Sequence, residues 1–290
     1  MKNYVLNCFL ALFSTAIIAQ QNDLNIFHFT SPHSSFPDTG RSKGHLYNNI
    51  LYDATEHYAD SSLLIIVPKN IDAEKKVDLV FWFHGWSNNI DSAAIRYHLA
   101  SQFAASRLNA ILVLPETAKN SPDSYGGKLE NPGIFKALVQ DVLKKLEEVK
   151  ICKNCEPGNI LLAGHSGAYR IIAYILQNGN LPVKETILFD ALYSDTDKFM
   201  NWIKADLSHR FLDIYTDRGG TEEETKGMMS LLAKENLAYD SIEETSLTPL
   251  IIKDNRLLFI HSPHLHNDII NSPDNFLLFM ENNPFFEKMK

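Results

Sequence analysis

Short apolar runs separated by amphipathic stretches dominate this chain. Val77–Phe83, Ala110–Pro115, Asn159–Ala163, Glu185–Asp190, Phe211–Asp217 and Leu257–His261 are short runs built around apolar residues, without the regular alternation of a half-exposed strand. Such runs predict strands covered on both faces, hence a mostly parallel sheet. Between them, apolar residues recur at helical spacing over roughly Asp91–Ser106, Asn131–Val149, Tyr169–Asn178, Thr196–Asp206, Glu222–Glu235 and Pro273–Phe286. Strand and helix in alternation predict an α/β chain with helices on both faces of a doubly wound sheet.

The alternation runs from about Ser61 to the C-terminus with no Pro/Gly/Ser-rich linker and no internal repeat, so residues 57–290 are expected to form one domain. Residues 21–56, with Phe27, Phe29, Phe36 and Tyr47, are expected to pack on it. Ahead of them, Lys2 precedes a largely apolar stretch from Tyr4 to Ala19 that turns polar at Gln20-Gln21-Asn22. It is short for a membrane span and reads as a removed secretory signal over residues 1–20, placing the mature protein outside the cell or in the periplasm. Cys8 lies inside the apolar stretch rather than at its end, which does not suit a lipid anchor. No later segment is long enough to cross a bilayer. The net charge of −8 argues against nucleic acid as a partner, which requires clustered Lys and Arg.

The chemistry concentrates where the strand Asn159–Ala163 breaks into Gly164-His165-Ser166-Gly167-Ala168. A buried strand passing directly into a helix through small residues forces a sharp turn that lifts the Ser166 hydroxyl clear. A serine hydroxyl needs an imidazole to take its proton, presented at the same sheet edge by a later loop. His261-Ser262-Pro263-His264-Leu265-His266 follows the last strand. His261 ends that strand; His266, just before the final helix, is favoured as the base, with His264 as the alternative. The acid that orients the imidazole is Asp190 or Asp217, each at a strand end. Asp190 is favoured because it directly follows the apolar run Ile187-Leu188-Phe189, where an ionised carboxylate is costly unless paired. Asp217 beside Arg218-Gly219-Gly220 has turn chemistry enough to explain it, and Asp195 is a more distant third. Two amides must hold the oxyanion: Gly167 after the serine, and Trp86 or Gly85 in the loop after His84. His84 is expected to hold that loop by a hydrogen bond, and Trp82 to lie in the core.

His84-Gly85, the GHSGA turn, the strand-end aspartates and the late His264-Leu265-His266-Asn267-Asp268 together resemble the α/β-hydrolase superfamily over residues 60–288. The resemblance implies a sheet of about eight strands, a Ser-His-Asp triad and no cofactor. The run GHSGAYR followed by LFDALY is also similar to a set of uncharacterised bacterial hydrolases in which the aspartate of DALY recurs, adding weight to Asp190.

Only one helix separates Asp190 from Phe211, so no large cap domain is expected over the site. The irregular stretch Thr117–Leu129 is the candidate for a substrate-contacting flap. Cys152 and Cys155, the two cysteines left after signal removal, read as a local disulfide. No paired Cys/His set accompanies them, so no zinc or other metal is expected. These readings converge on a secreted serine hydrolase cleaving an ester of a small molecule, carbohydrate or peptide. A peptidase using the same triad, or a binding protein that kept the fold without the reaction, stand as alternatives.

Overall fold

A computed structural model describes residues 23–73 and 76–290. The expected signal, residues 1–20, lies outside the described residues. In chain order the strands are β1 (Leu24–Thr30), β2 (His45–Tyr47), β3 (Ile50–Tyr52), β4 (Ser62–Pro68), β5 (Lys76–Phe83), β6 (Ala110–Pro115), β7 (Glu156–His165), β8 (Glu185–Phe189), β9 (Arg210–Thr216), β10 (Asp240–Glu243) and β11 (Leu257–Ser262). The helices are α1 (Ala54–His57), α2 (Ile90–Arg96), α3 (Leu99–Ser106), α4 (Ile134–Glu148), α5 (Tyr169–Asn178), α6 (Thr196–Ala205), α7 (Glu222–Lys234), α8 (Pro249–Asp254) and α9 (Asn275–Glu281).

Nine strands form one sheet in the order β1-β4-β6-β5-β7-β8-β9-β11-β10. Only the β1–β4 and β4–β6 pairings are antiparallel. The sheet has more strands than the expected eight because Leu24–Thr30 pairs along β4, and because the short Asp240–Glu243 adds the far edge.

Alternate residues of each central strand enter opposite cores. On β5, Leu79, Phe81 and Phe83 face α4 and α5, while Val80 and Trp82 face α2, α3 and α9. All five are fully buried, which is why the strand reads as a continuous apolar run.

Two predicted helices differ from the expectation. The stretch Asp91–Ser106 is two helices, broken at Tyr97-His98, where His98 takes a left-handed φ of 51°. At the break Gln102 Nε2 donates to the Tyr97 carbonyl at 2.7 Å, and the Tyr97 side chain is buried. The last helix stops at Glu281 rather than Phe286, because Pro284 disfavours helical backbone at Asn283. Asn283 instead donates to the buried carboxylate of Glu185.

Segment 31–59 wraps the stretch expected to be a flap. Arg41 donates to both carboxylate oxygens of Asp123 at 2.6 and 3.1 Å, and the Tyr58 hydroxyl lies 2.6 Å from Ser121 Oγ. Phe36, Tyr58 and Ala118 form a small core of their own. The stretch Thr117–Leu129 is therefore pinned in place rather than hung as a free flap. Cys152 and Cys155 are disulfide-bonded in the loop between α4 and β7, with Cα atoms 6.0 Å apart. Among the described residues no helix is long and apolar enough to cross a membrane.

Candidate active site

The parallel strands β5, β7, β8, β9 and β11 deliver their C-terminal ends to one edge of the sheet, and the sequence-predicted residues gather there. At the end of β7 the chain turns at once into a 3-10 turn, Ser166–Ala168, and then α5. Ser166 sits at φ 57°, a left-handed conformation that L-residues adopt only at a cost. The loop after β5 presses against it: a Cβ on Gly85 would lie 2.6 Å from the Ser166 Cβ and 2.8 Å from the His165 carbonyl. Only glycine fits that approach.

His266, in the loop before α9, donates from Nδ1 to Asp190 Oδ2 at 2.6 Å. Asp190 is fully buried and itself strained, with φ 47°. Its carboxylate also accepts from the Thr216 hydroxyl at 2.7 Å, the Thr216 amide at 3.2 Å and the Thr221 hydroxyl. Burial works to raise the Asp190 pKa, but the hydrogen bonds from His266, Thr221 and Thr216 together hold it below the ordinary carboxylate value. Gly219 completes the cradle, since a Cβ there would stand 1.7 Å from Asp190 Oδ2.

The alternatives are engaged elsewhere. Asp217 lies 2.7 Å from His261 Nε2, and that ring also meets Glu243 at 2.8 Å. His264 Nε2 faces Glu244 at 3.6 Å. Asp195 is the N-cap of α6 and pairs with Lys198 at 2.7 Å.

His84 Nε2 lies 2.6 Å from Glu116 Oε1, and its Nδ1 donates to the Gly85 carbonyl at 2.8 Å. Glu116 Oε2 accepts the Ile90 amide at the start of α2, tying the His84-Gly85-Trp86 loop to that helix. The amides of Trp86 and Gly167 belong to the two loops that meet at Ser166, and the Trp86 ring lies against Gly167.

Part-exposed aromatic side chains cluster at this edge, with Trp86 against Gly167. Trp86 Nε1 donates to Ser124 Oγ at 2.6 Å, and Tyr47 from the β2–β3 hairpin meets the indole edge-to-face at 5.4 Å. Tyr169 stands 5.9 Å from the Tyr193 ring. The Tyr193 hydroxyl donates to the Gly219 carbonyl at 2.5 Å, and its ring stands 6.5 Å from that of His266. Burial and the Asp190 charge push the Tyr193 phenol up to about 12, so it is neutral at ordinary pH.

Sequence reasoning missed Glu116, Thr216, Thr221 and the role of Tyr193, whereas Ser124 lies in the Thr117–Leu129 stretch already singled out. Tyr193 alone carried a signal, as the last residue of DALY. The others are ordinary polar residues until strand order brings them to one edge.

No protein-family model and no curated protein matches the sequence. Solved structures do match the fold. A ferulic acid esterase superposes with a TM-score of 0.58 at 13% identity, covering 91% of this chain and 99% of its own. A mutant of the feruloyl esterase module of Clostridium thermocellum, complexed with sinapinate, gives 0.56 at 12% identity over 92% and 90%. The fluorophosphonate-binding serine hydrolase F of Staphylococcus aureus gives 0.52 at 11% identity over 90% and 98%. The chain has the α/β-hydrolase fold.

Proposed function

We propose that this protein is a secreted serine hydrolase that cleaves a carboxylic ester through an acyl-enzyme. The observation that carries the reading is the strained Ser166 elbow at the same sheet edge as a histidine whose Nδ1 is held at 2.6 Å by a buried aspartate. In this reading Asp190 fixes the tautomer, leaving His266 Nε2 to accept the Ser166 proton as the serine oxygen attacks the ester carbonyl. The carbonyl π electrons become an oxyanion, held by the amides of Gly167 and Trp86. When the oxyanion collapses, the ester C–O bond breaks and the departing alkoxide takes the proton from His266. Water then attacks the acyl-serine with His266 again as base, releasing the acid and restoring Ser166.

The cluster of Tyr47, Trp86, Tyr169 and Tyr193 supports an ester whose acyl or alcohol part presents a flat ring, because aromatic faces bind such groups at low entropic cost. Two of the structural neighbours are by name esterases of feruloyl or ferulic acid substrates, which agrees with that class. Export is supported by the apolar N-terminal stretch and the Cys152–Cys155 bond.

A fluorophosphonate probe tests the chemistry. Native protein is expected to label at Ser166 and Ser166→Ala not at all. Folded native protein that fails to label would leave a binding protein on this fold as the better account. A panel of aryl, acetyl-sugar, long-chain and peptide substrates then sorts ester from amide and ring from chain.

A further inference from the structure

We propose that His165, the residue between Gly164 and Ser166, is a positioning residue for the His266 imidazole: it holds the His266 backbone with one ring nitrogen and packs its own ring onto that of His266. The inference rests on the reading of Ser166 and His266 as nucleophile and base.

His165 Nε2 lies 2.9 Å from the His266 carbonyl oxygen. A carbonyl only accepts, so Nε2 carries the proton and Nδ1 is the lone-pair nitrogen. Nδ1 in turn faces the Tyr97 hydroxyl at 3.2 Å, and the one proton of that hydroxyl is shared between Nδ1 and Asn267 Oδ1, 3.4 Å away in the His266 loop. The two imidazoles pack with centroids 4.5 Å apart and planes tilted by 35°. Tyr97 closes the other side of His165, with ring centroids 5.2 Å apart. His165 is buried, and a phenylalanine would fill the same space with no polar atom to satisfy. Both nitrogens are instead used, and one grips the chain of the very residue proposed as the base.

The broken helix now has a purpose. Tyr97 stands at the α2–α3 break, and from there its hydroxyl reaches the His165 ring. The loop carrying His266 is otherwise exposed at Leu265, Asn267 and Asp268, so the hydrogen bond from His165 is a fixed point within it. A misplacement of about 1 Å in a reacting group is enough to cost roughly a hundredfold in rate.

Neutrality matters as much as position. His266 must become positively charged when it takes the serine proton, and a second charge 4.5 Å away would oppose that. The titratable or charged groups around His165 are Tyr97 and Arg96 at the end of α2, His266 itself, and Asp190 after β8. Burial first, then the neighbouring His266, lowers the His165 pKa to about 3, so it is neutral wherever His266 works.

The test is the rate of fluorophosphonate labelling at Ser166 as a function of pH, with folding of each variant checked by circular dichroism and cooperative unfolding. His165→Phe keeps a ring but loses both hydrogen bonds. It is expected to label about tenfold to a hundredfold more slowly, with the midpoint of the acid limb displaced. His165→Gln puts an N–H near the position of Nε2 and is expected to return the rate to within about threefold of native. Tyr97→Phe leaves the ring pair intact but removes the hydroxyl from both His165 Nδ1 and Asn267 Oδ1; it is expected to give a smaller loss with the same displacement of the acid limb, and Asn267→Ala, which loses only the second contact, is expected to leave the limb unmoved. Tyr97→Phe carries the comparison if the His165→Phe variant does not fold. Native rates with an unmoved acid limb in His165→Phe, or in Tyr97→Phe where the former does not fold, would overturn the proposal. So would equal losses in the Phe and Gln variants with an unmoved acid limb, which is how a merely structural residue behaves. Native protein that does not label overturns the nucleophile reading and this proposal together, whereas labelled native protein with indifferent variants overturns the proposal alone.

Discussion

Two histidine–carboxylate pairs stand at the same edge of the sheet, and they differ in what the far imidazole nitrogen meets. His84 with Glu116 and His266 with Asp190 have the same contact distance, 2.6 Å. In the first pair both side chains are about 1% exposed, and both His84 nitrogens face protein acceptors. In the second the carboxylate is equally hidden, but the His266 side chain is 25% exposed and only Nδ1 is taken up by Asp190. A pair sealed at every valence holds a loop. A pair anchored at one nitrogen and open at the other can accept a proton from outside. The carboxylate distance alone does not distinguish them; what the far nitrogen meets does.

The comparison breaks hardest at Asp190. Asp190→Asn should lower the labelling rate by about 10⁴ while the protein stays folded, because the amide favours the wrong histidine tautomer. If the rate holds, His266 does not need its carboxylate. Glu116→Leu should do the reverse, costing about 3–5 kcal/mol of unfolding free energy by stranding His84, with labelling per folded molecule changed far less. Chemical denaturation alongside labelling separates these two outcomes.

A third carboxylate sharpens the contrast. Asp213 on β9 is fully buried, accepts from Thr225 Oγ1 at 2.7 Å through Oδ2, and leaves Oδ1 without a partner. Burial pushes its pKa up to about 7. A carboxyl that keeps its proton in the folded state but loses it when unfolded destabilises the fold as pH rises from about 4 to 7, with the loss complete above. Asp213→Asn should flatten that decline and exceed native stability at about pH 8 by a few kcal/mol at most. Parallel curves for the two proteins would remove Asp213 from the account. The smallest effect is expected at the rim: Trp86→Ala should raise KM for ring-bearing esters about fivefold to tenfold, with acetyl esters changed less.

Much of this arrangement was legible in the chain. The central strands announce themselves because both faces are buried, and α5 spans the residues that its spacing predicts, Tyr169–Asn178. The turn at Ser166 is legible because small residues between an apolar strand and a helix leave little else possible. His266 and Asp190 were favoured over His264 and Asp217, and the favoured two meet at 2.6 Å. What was hidden has a common cause. The hairpin β2–β3 is three residues a strand, turns through Asn48-Asn49 at positive φ, and exposes Leu46, Ile50 and Leu51, so it carries no burial signal. Glu116, Thr216 and Thr221 matter through partners far along the chain, and nothing local marks them. The break at His98 answers to Tyr97 and Gln102, whose contacts form only in the folded protein.

The left-handed backbone at Ser166 and Asp190 has a thermodynamic side. Each of these L-residues pays roughly 1 kcal/mol or more for a conformation that glycine takes freely. Ser166→Gly should therefore yield an inert protein that melts higher than its parent. Selection for thermal robustness alone would erode this edge of the sheet.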